Sequence, residues 1–258
     1  AALKAGYRHF MDKEIHEQPE TLADTIRPRV TVDPARLRLD EFESPIDAGE
    51  IDRTIIVASG TSFFAGMIGA RYIQDIAGMP ASVEVASEFA YAPGPLSART
   101  LVIAISQSGE TADVLMAVQR ARDAGASVVA LVNKEGSELT RTAQSVLYLH
   151  AGPEISVAAT KTFVSEIGLL YLLACQIGVG RKVLLPDDLA RNVADIAHAP
   201  IGVSRALDTE QQVMQLARRY HRFTNFLYMG RDLAHAVALE GALKLKEISY
   251  IHAEGFAA

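Results

Sequence analysis

Between Thr54 and Ile177, short apolar runs alternate with longer amphipathic stretches, and this rhythm restricts the fold more than any other feature of the 258-residue chain. The runs Thr54–Ala58, Ser82–Ala86, Leu101–Ile105, Ser127–Val132 and Val146–His150 read as strands. Ser62–Ile76, Thr111–Ala124 and Lys161–Ile177 read as helices, with Gly78-Met79-Pro80 and Gly125 as stops. Strands without an alternating polar face need cover on both sides, which a parallel sheet between two helix layers supplies. Right-handed crossovers then make the unit a doubly wound α/β domain: a parallel five-stranded sheet in a flavodoxin-like three-layer αβα sandwich.

The flanks follow other patterns. Phe10, Ile15, Leu22 and Ile26 recur at helical intervals in Gly6–Ile26, and Pro28 and Pro34 break that pattern. Beyond Pro186 the chain is more polar, with helices expected at Asp187–Leu207 and Glu210–Tyr220. Phe226–Met229 then reads as a strand, Gly230 follows, and a helix runs from Leu233 to Tyr250. Gly230 stands 170 positions after Gly60, so strand, glycine and helix recur as the start of a second copy of the unit. That copy reaches Ala258 before it has a sheet of its own, and the chain is read as truncated there. The expected division is a helical segment over 1–50, an α/β domain over 51–185, a helical connector over 186–222 and a second, truncated domain over 223–258.

Composition excludes several classes. The formal charge of −6, with no basic stripe, argues against a nucleic-acid surface. Cys175 is the single cysteine; it rules out an intramolecular disulfide, suits a reducing cytoplasm and reads as a small buried hydrophobe. The apolar stretch Ile167–Gly180 is expected to be too short for a bilayer, which takes about 20 residues. The N-terminus, Ala1-Ala2-Leu3-Lys4, has no signal-peptide pattern. The seven histidines are scattered, with no metal-ligand spacing or acidic company, so no metal is expected.

Two strand ends carry candidate chemistry: Ser59-Gly60-Thr61-Ser62 and Ser106-Gln107-Ser108-Gly109-Glu110-Thr111. Open parallel sheets bind ligands beyond the carboxyl ends of their strands. Glycine lets backbone approach a ligand, hydroxyls donate, and helix starts favour anions. Either loop alone reads first as helix capping; two of them at neighbouring strand ends form a phosphate cradle without lysine or metal. Neither loop is a dinucleotide or P-loop fingerprint, so NAD, ATP and other cofactors are not expected. Thr160 is a candidate cap for the helix opening at Lys161, where Val157-Ala158-Ala159 precede it. Lys244 and Glu247, three apart, share a helical face. They are either a solvated ion pair or a proton-moving carboxylate with its ammonium, and His252 and Glu254 are similarly open.

The segments Gly6–Met11, Lys13–Ile15, Glu17–Pro19, Ser59–Ser62, Ser87–Phe89, Ser106–Thr111, Gly152–Ile155 and above all Ala238–Glu254 (ALEGALKLKEISYIHAE) resemble the isomerase part of the glucosamine-6-phosphate synthases, a family also called glutamine–fructose-6-phosphate aminotransferases. The resemblance covers nearly the whole chain; the Ser106–Thr111 loop by itself points only to the wider class of SIS (sugar isomerase) domains. It implies tandem SIS domains behind a glutaminase domain, fructose 6-phosphate and glucosamine 6-phosphate as ligands, and a homodimer. It further implies that Ser106, Gln107, Ser108 and Thr111 hold the phosphate, with Thr61 and Ser62 assisting. By the same resemblance Val157 offers a backbone contact, Glu247 shuttles a proton between the first two sugar carbons, and Lys244 stands near the reacting oxygens. Ala159 replaces the family's usual serine, and the family's ring-opening histidine and Schiff-base lysine have no counterpart before Ala258. The 258-residue chain alone is therefore expected not to complete ammonia-dependent synthesis.

Two alternatives stand beside this. An SIS-type glucosamine-6-phosphate deaminase fits Ala158-Ala159-Thr160, whereas Gly6–Pro19 and Ile248–Ile251 fit the synthases better. A non-catalytic sugar-phosphate sensor calls for a basic helix-turn-helix ahead of the SIS unit, which Gly6–Ile26 does not resemble.

Overall fold

The computed structural model describes residues 4–43 and 46–258; Ala1–Leu3, read above for a leader, and residues 44–45 of the N-terminal segment lie outside it. Helix α1 (Phe10–Ile26) is followed by strands β1 (Val30–Val32) and β2 (Ala35–Leu37), helix α2 (Asp40–Glu43) and a 3-10 turn (Ala48–Glu50). The α/β unit comprises β3 (Arg53–Ala58), α3 (Gly60–Ala77), β4 (Ala81–Val85), α4 (Ala86–Tyr91), β5 (Thr100–Ser106), α5 (Ala112–Asp123), β6 (Ser127–Val132), α6 (Glu138–Thr142), β7 (Ser145–Tyr148) and α7 (Lys161–Gly180). After it come α8 (Pro186–Leu207), α9 (Glu210–Tyr220), β8 (Asn225–Gly230), α10 (Leu233–Ser249) and β9 (His252–Ala257).

The sheet has the order β4-β3-β5-β6-β7 and every pairing in it is parallel, as the apolar runs require. Successive residues point to opposite faces, and both faces are buried. Ile56, Ala58, Leu101, Ile103, Ile105, Val129 and Leu131 pack with α1, α3 and α7 on one side. On the other side Ile55, Val57, Val102, Ala104, Val128, Ala130 and Val132 meet α4, α5 and α6. Each fully buried Ile or Leu contributes about 1.5–3 kcal/mol of apolar transfer. Cys175 is buried, as its apolar neighbours imply, and burial pushes its thiol up to about 12.

Several expectations change. The length argument against a membrane span fails, because α7 has 20 residues and a mean hydropathy of 1.6. Its place in the core accounts for that apolarity, since 67% of the span is buried inside the protein. Thr160 does not cap α7 with its side chain. Glu154 does so instead, accepting from the Thr160 amide at 2.7 Å and from the Thr162 amide at 3.4 Å. The Pro28–Pro34 region contains an antiparallel hairpin, Val30–Val32 against Ala35–Leu37, too short to show a two-residue period. His252 and Glu254 belong to β9, which pairs parallel with β8, so β8–α10–β9 is a βαβ unit.

Candidate functional site

Strand order creates the site. From β3 the chain crosses to one side, to β4; from β5 it crosses to the other, to β6. The carboxyl ends of β3 and β5 therefore flank the switch point where open α/β sheets bind ligands. A cavity of about 170 Å³ opens there, lined by Ser59, Thr61, Ser62, Ile105, Ser106, Gln107, Ser108, Thr111 and Val114. Thr61, Ser62, Ser106, Gln107, Ser108 and Thr111, the expected ligand contacts of the two loops, are brought together there, and none of the lining side chains is charged.

Local bonds shape the second loop. Ser106, buried at the end of β5, shares a hydrogen bond of 2.9 Å with the Thr111 hydroxyl and accepts from the Gly109 amide at 3.1 Å. Ser108 Oγ accepts from the Glu110 amide at 3.2 Å, and α5 starts at Ala112. Gly109 has φ +64°, and a Cβ there would stand 2.0 Å from Ser137 Oγ. Only glycine gives the loop both that turn and that contact.

Behind the first loop stand two carboxyls that sequence reading missed. Ser62 Oγ stands within hydrogen-bond distance of Glu166 Oε1 of α7, at 2.8 Å. Thr61 Oγ1 donates to Glu240 Oε1 of α10 at 3.1 Å. Glu166 is 1% exposed and Glu240 6%, and Oε2 of each is buried without a partner among the described residues. A buried carboxylate with an unpaired oxygen is costly, so the neutral form gains. Burial pushes Glu166 up to about 8, the neighbouring Glu154 and Glu240 adding to it against the Ser62 bond and Lys244. It pushes Glu240 up to about 7, against the pull of Lys244 and Thr61. The only available signal was that both acids fall on apolar helix faces, Glu240 within ALEGAL and Glu166 ahead of Ile167-Gly168-Leu169.

Lys244 turns out to be no solvated partner of Glu247 alone. Its Nζ donates to Thr61 Oγ1 at 2.9 Å, and lies 2.7 Å from Glu247 Oε2 and 3.3 Å from Glu240 Oε1. The cradle thus has a lysine at its edge, delivered by α10 packing on α3. Glu247 keeps 34% side-chain exposure and is joined to the cavity through Lys244 and Thr61.

The loop before α7 is held to α1. Glu14 accepts from the Ile155 amide at 2.6 Å and from the Ser156 hydroxyl, while Lys161 pairs with Glu17 at 2.8 Å. Val157 projects from this loop, 94% exposed and outside the cavity lining; Ala159 is half-buried beside it. His252 and Glu254 bond to each other at 3.3 Å, and His252 also meets Asn225 at 3.0 Å on the exposed face of β9. His16 also has acidic company, on both ring nitrogens: the fold brings Glu210 of α9 within 3.4 Å of its Nε2, while Asp12 Oδ1 lies 3.4 Å from its Nδ1. These three could hold a metal ion, a grouping that sequence spacing did not reveal.

A doubly wound sheet with an uncharged, hydroxyl-rich cup at its switch point defines the class of SIS domains, and a family model described as "SIS domain" matches residues 50–175. The chain is 46% identical over 259 residues to glutamine–fructose-6-phosphate aminotransferase [isomerizing] of Streptomyces coelicolor, covering all of this chain and 42% of that protein. Among solved structures, the C-terminal domain of glucosamine-fructose-6-phosphate aminotransferase from Francisella tularensis matches at 34% identity with a TM-score of 0.95, over 100% of this chain and 72% of that one. The chain belongs to the glutamine–fructose-6-phosphate aminotransferase family. It spans less than half the length of such a curated relative. Glucosamine-6-phosphate deaminase from Thermotoga maritima shares the fold, at 20% identity and a TM-score of 0.74, covering 97% of this chain and 70% of that one.

Proposed function

We propose that this chain is the isomerase part of a glutamine–fructose-6-phosphate aminotransferase, binding fructose 6-phosphate and forming glucosamine 6-phosphate with ammonia from a glutaminase domain of the full-length protein. One observation carries the reading: an uncharged cup at the switch point, joined through Thr61 to Lys244 and thence to Glu247. Ser106, Gln107, Ser108 and Thr111 hold the phosphate, Thr61 and Ser62 assist, and Val157 offers a backbone contact. Ammonia adds to the C2 ketone and water leaves. Glu247 takes a proton from C1 of the resulting imine and returns it at C2, while the C1 hydroxyl proton passes to the imine nitrogen, leaving a C1 aldehyde and a C2 amine. Lys244 orients that carboxylate and stands beside the oxygen on which charge develops. The match to the synthase relative over the whole chain favours this over the deaminase.

The same reading makes β8–α10–β9 the start of a second SIS domain, beyond the first domain (51–185) and the connector (186–222), and the protein a cytoplasmic homodimer. The exposed apolar residues of α9, β8 and α10, among them Leu216, Met229 and Ile248, support a covered face there.

Thermal unfolding tests the cup. Fructose 6-phosphate should raise Tm where unphosphorylated fructose does not, because only a ligand of the native state stabilises it. Replacing Ser106, Ser108 and Thr111 together by alanine should remove that shift while circular dichroism stays native. Equal shifts from both sugars, or a shift surviving the triple change, would defeat the proposal.

A further inference from the structure

We propose that Glu166 is a positioning residue that must be protonated for a sugar phosphate to bind, because its neutral carboxyl donates to Ser62 Oγ and frees that hydroxyl's own hydrogen to point into the cup. The inference rests on the sugar-phosphate reading and adds a proton to it.

A serine hydroxyl has one hydrogen. When Glu166 is ionised it can only accept, so the 2.8 Å contact uses up the Ser62 hydrogen and leaves lone pairs facing the cavity. Those lone pairs, with a carboxylate charge behind them, oppose an anion. A proton on Glu166 Oε1 reverses the bond. Ser62 then accepts from Glu166 and donates to the ligand, and the unpartnered Oε2 becomes a neutral carbonyl oxygen, which costs less to bury than a carboxylate oxygen.

The surroundings favour that state. Glu154, from the loop ahead of α7, and Glu240, from α10, repel a charge on Glu166; Lys244 of α10 opposes them, but it is shared with Thr61, Glu240 and Glu247. On α1, Glu14 is held by the Ile155 amide and Ser156, and Glu17 by Lys13 and Lys161. The charged side chains of α3, Arg71 and Asp75, pair with each other on its exposed side, and Arg71 also meets Asp232. Helix α8 meets α7 through Asn192 and Tyr171. Burial, with Glu154 and Glu240, holds the Glu166 carboxyl near 8, so the neutral form dominates at pH 7 and is lost as pH rises through that value.

Calorimetric titration of fructose 6-phosphate between pH 7 and 9.5 tests this, since the phosphate ester, with its second pKa at about 6, is dianionic throughout. Wild-type affinity should fall about thirtyfold across the range, as expected for one required proton lost near 8. Glu166→Gln keeps a neutral donor, so its affinity should stay within about twofold and exceed wild type at pH 9.5. Ser62→Ala, which leaves Glu166 in place, should bind weakly and without the pH slope. A flat wild-type profile, or the same fall in Glu166→Gln, would overturn this inference and leave the sugar-phosphate reading standing. Absence of binding by wild type at every pH would overturn both.

Discussion

The two βαβ regions of this molecule use the same local grammar and live in opposite surroundings. In the first, β5 is buried at every position and its sheet is covered on both faces. In the second, β8 alternates exposed with half-buried residues and its two-stranded sheet shows Leu227 and Met229 to solvent. Strand, glycine and helix thus specify a local path, and the neighbours decide what it is worth. The regions meet where α10 sends Lys244 and Glu240 to Thr61 of α3, and where Asp232 pairs with Arg71 of α3.

The contrast can be tested by what each region loses on substitution. Leu131→Ala empties a fully buried position in the covered sheet, and urea unfolding should register a loss of about 2–5 kcal/mol. A loss under about 1 kcal/mol would mean that the core collapses around the gap.

The next effect belongs to the junction. Folded Glu166 keeps its proton up to about 8, against an ordinary 4.5. The native state therefore holds the proton longer than the unfolded chain, and wild-type stability falls as pH climbs from about 4.5 to about 8. Glu166→Gln removes its share of that fall and leaves the smaller one from Glu240, which is held up to about 7. Its Tm advantage over wild type should grow through the same window and then level off, reaching up to a few kcal/mol in stability. A constant gap from pH 5 to 9 would show that the buried acid is not what costs stability.

Corresponding glycines sharpen the comparison further. An alanine at Gly60 finds no atom within 4 Å and meets only the strain of φ +56°, about 1–2 kcal/mol. At Gly230 a Cβ would lie 2.0 Å from the Ala234 carbonyl oxygen, where backbone has to shift, so Gly230→Ala should cost more. The reverse order would show that the second region gives way. Smallest of all, Leu227→Ala, at a position 65% exposed, should change stability by no more than about 0.5 kcal/mol.

The sheet was legible in the chain because covered parallel strands advertise themselves as apolar runs. Ser127–Val132 and Glu210–Tyr220 have the bounds that patterning implies. So were the two hydroxyl loops, whose glycines and serines end strands and begin helices. The hairpin at 30–37 and strand β9 were not, since three-residue strands and the run HAEGFA carry no period. Nor were the carboxyls behind the cup. Ser62 and Glu166 are 104 residues apart, and Thr61 and Glu240 are 179 apart. A local pattern can say that an acid lies on an apolar helix face. Whether that acid loses its water, keeps its proton and finds one particular hydroxyl depends on which helices pack together, and only the tertiary structure decides that.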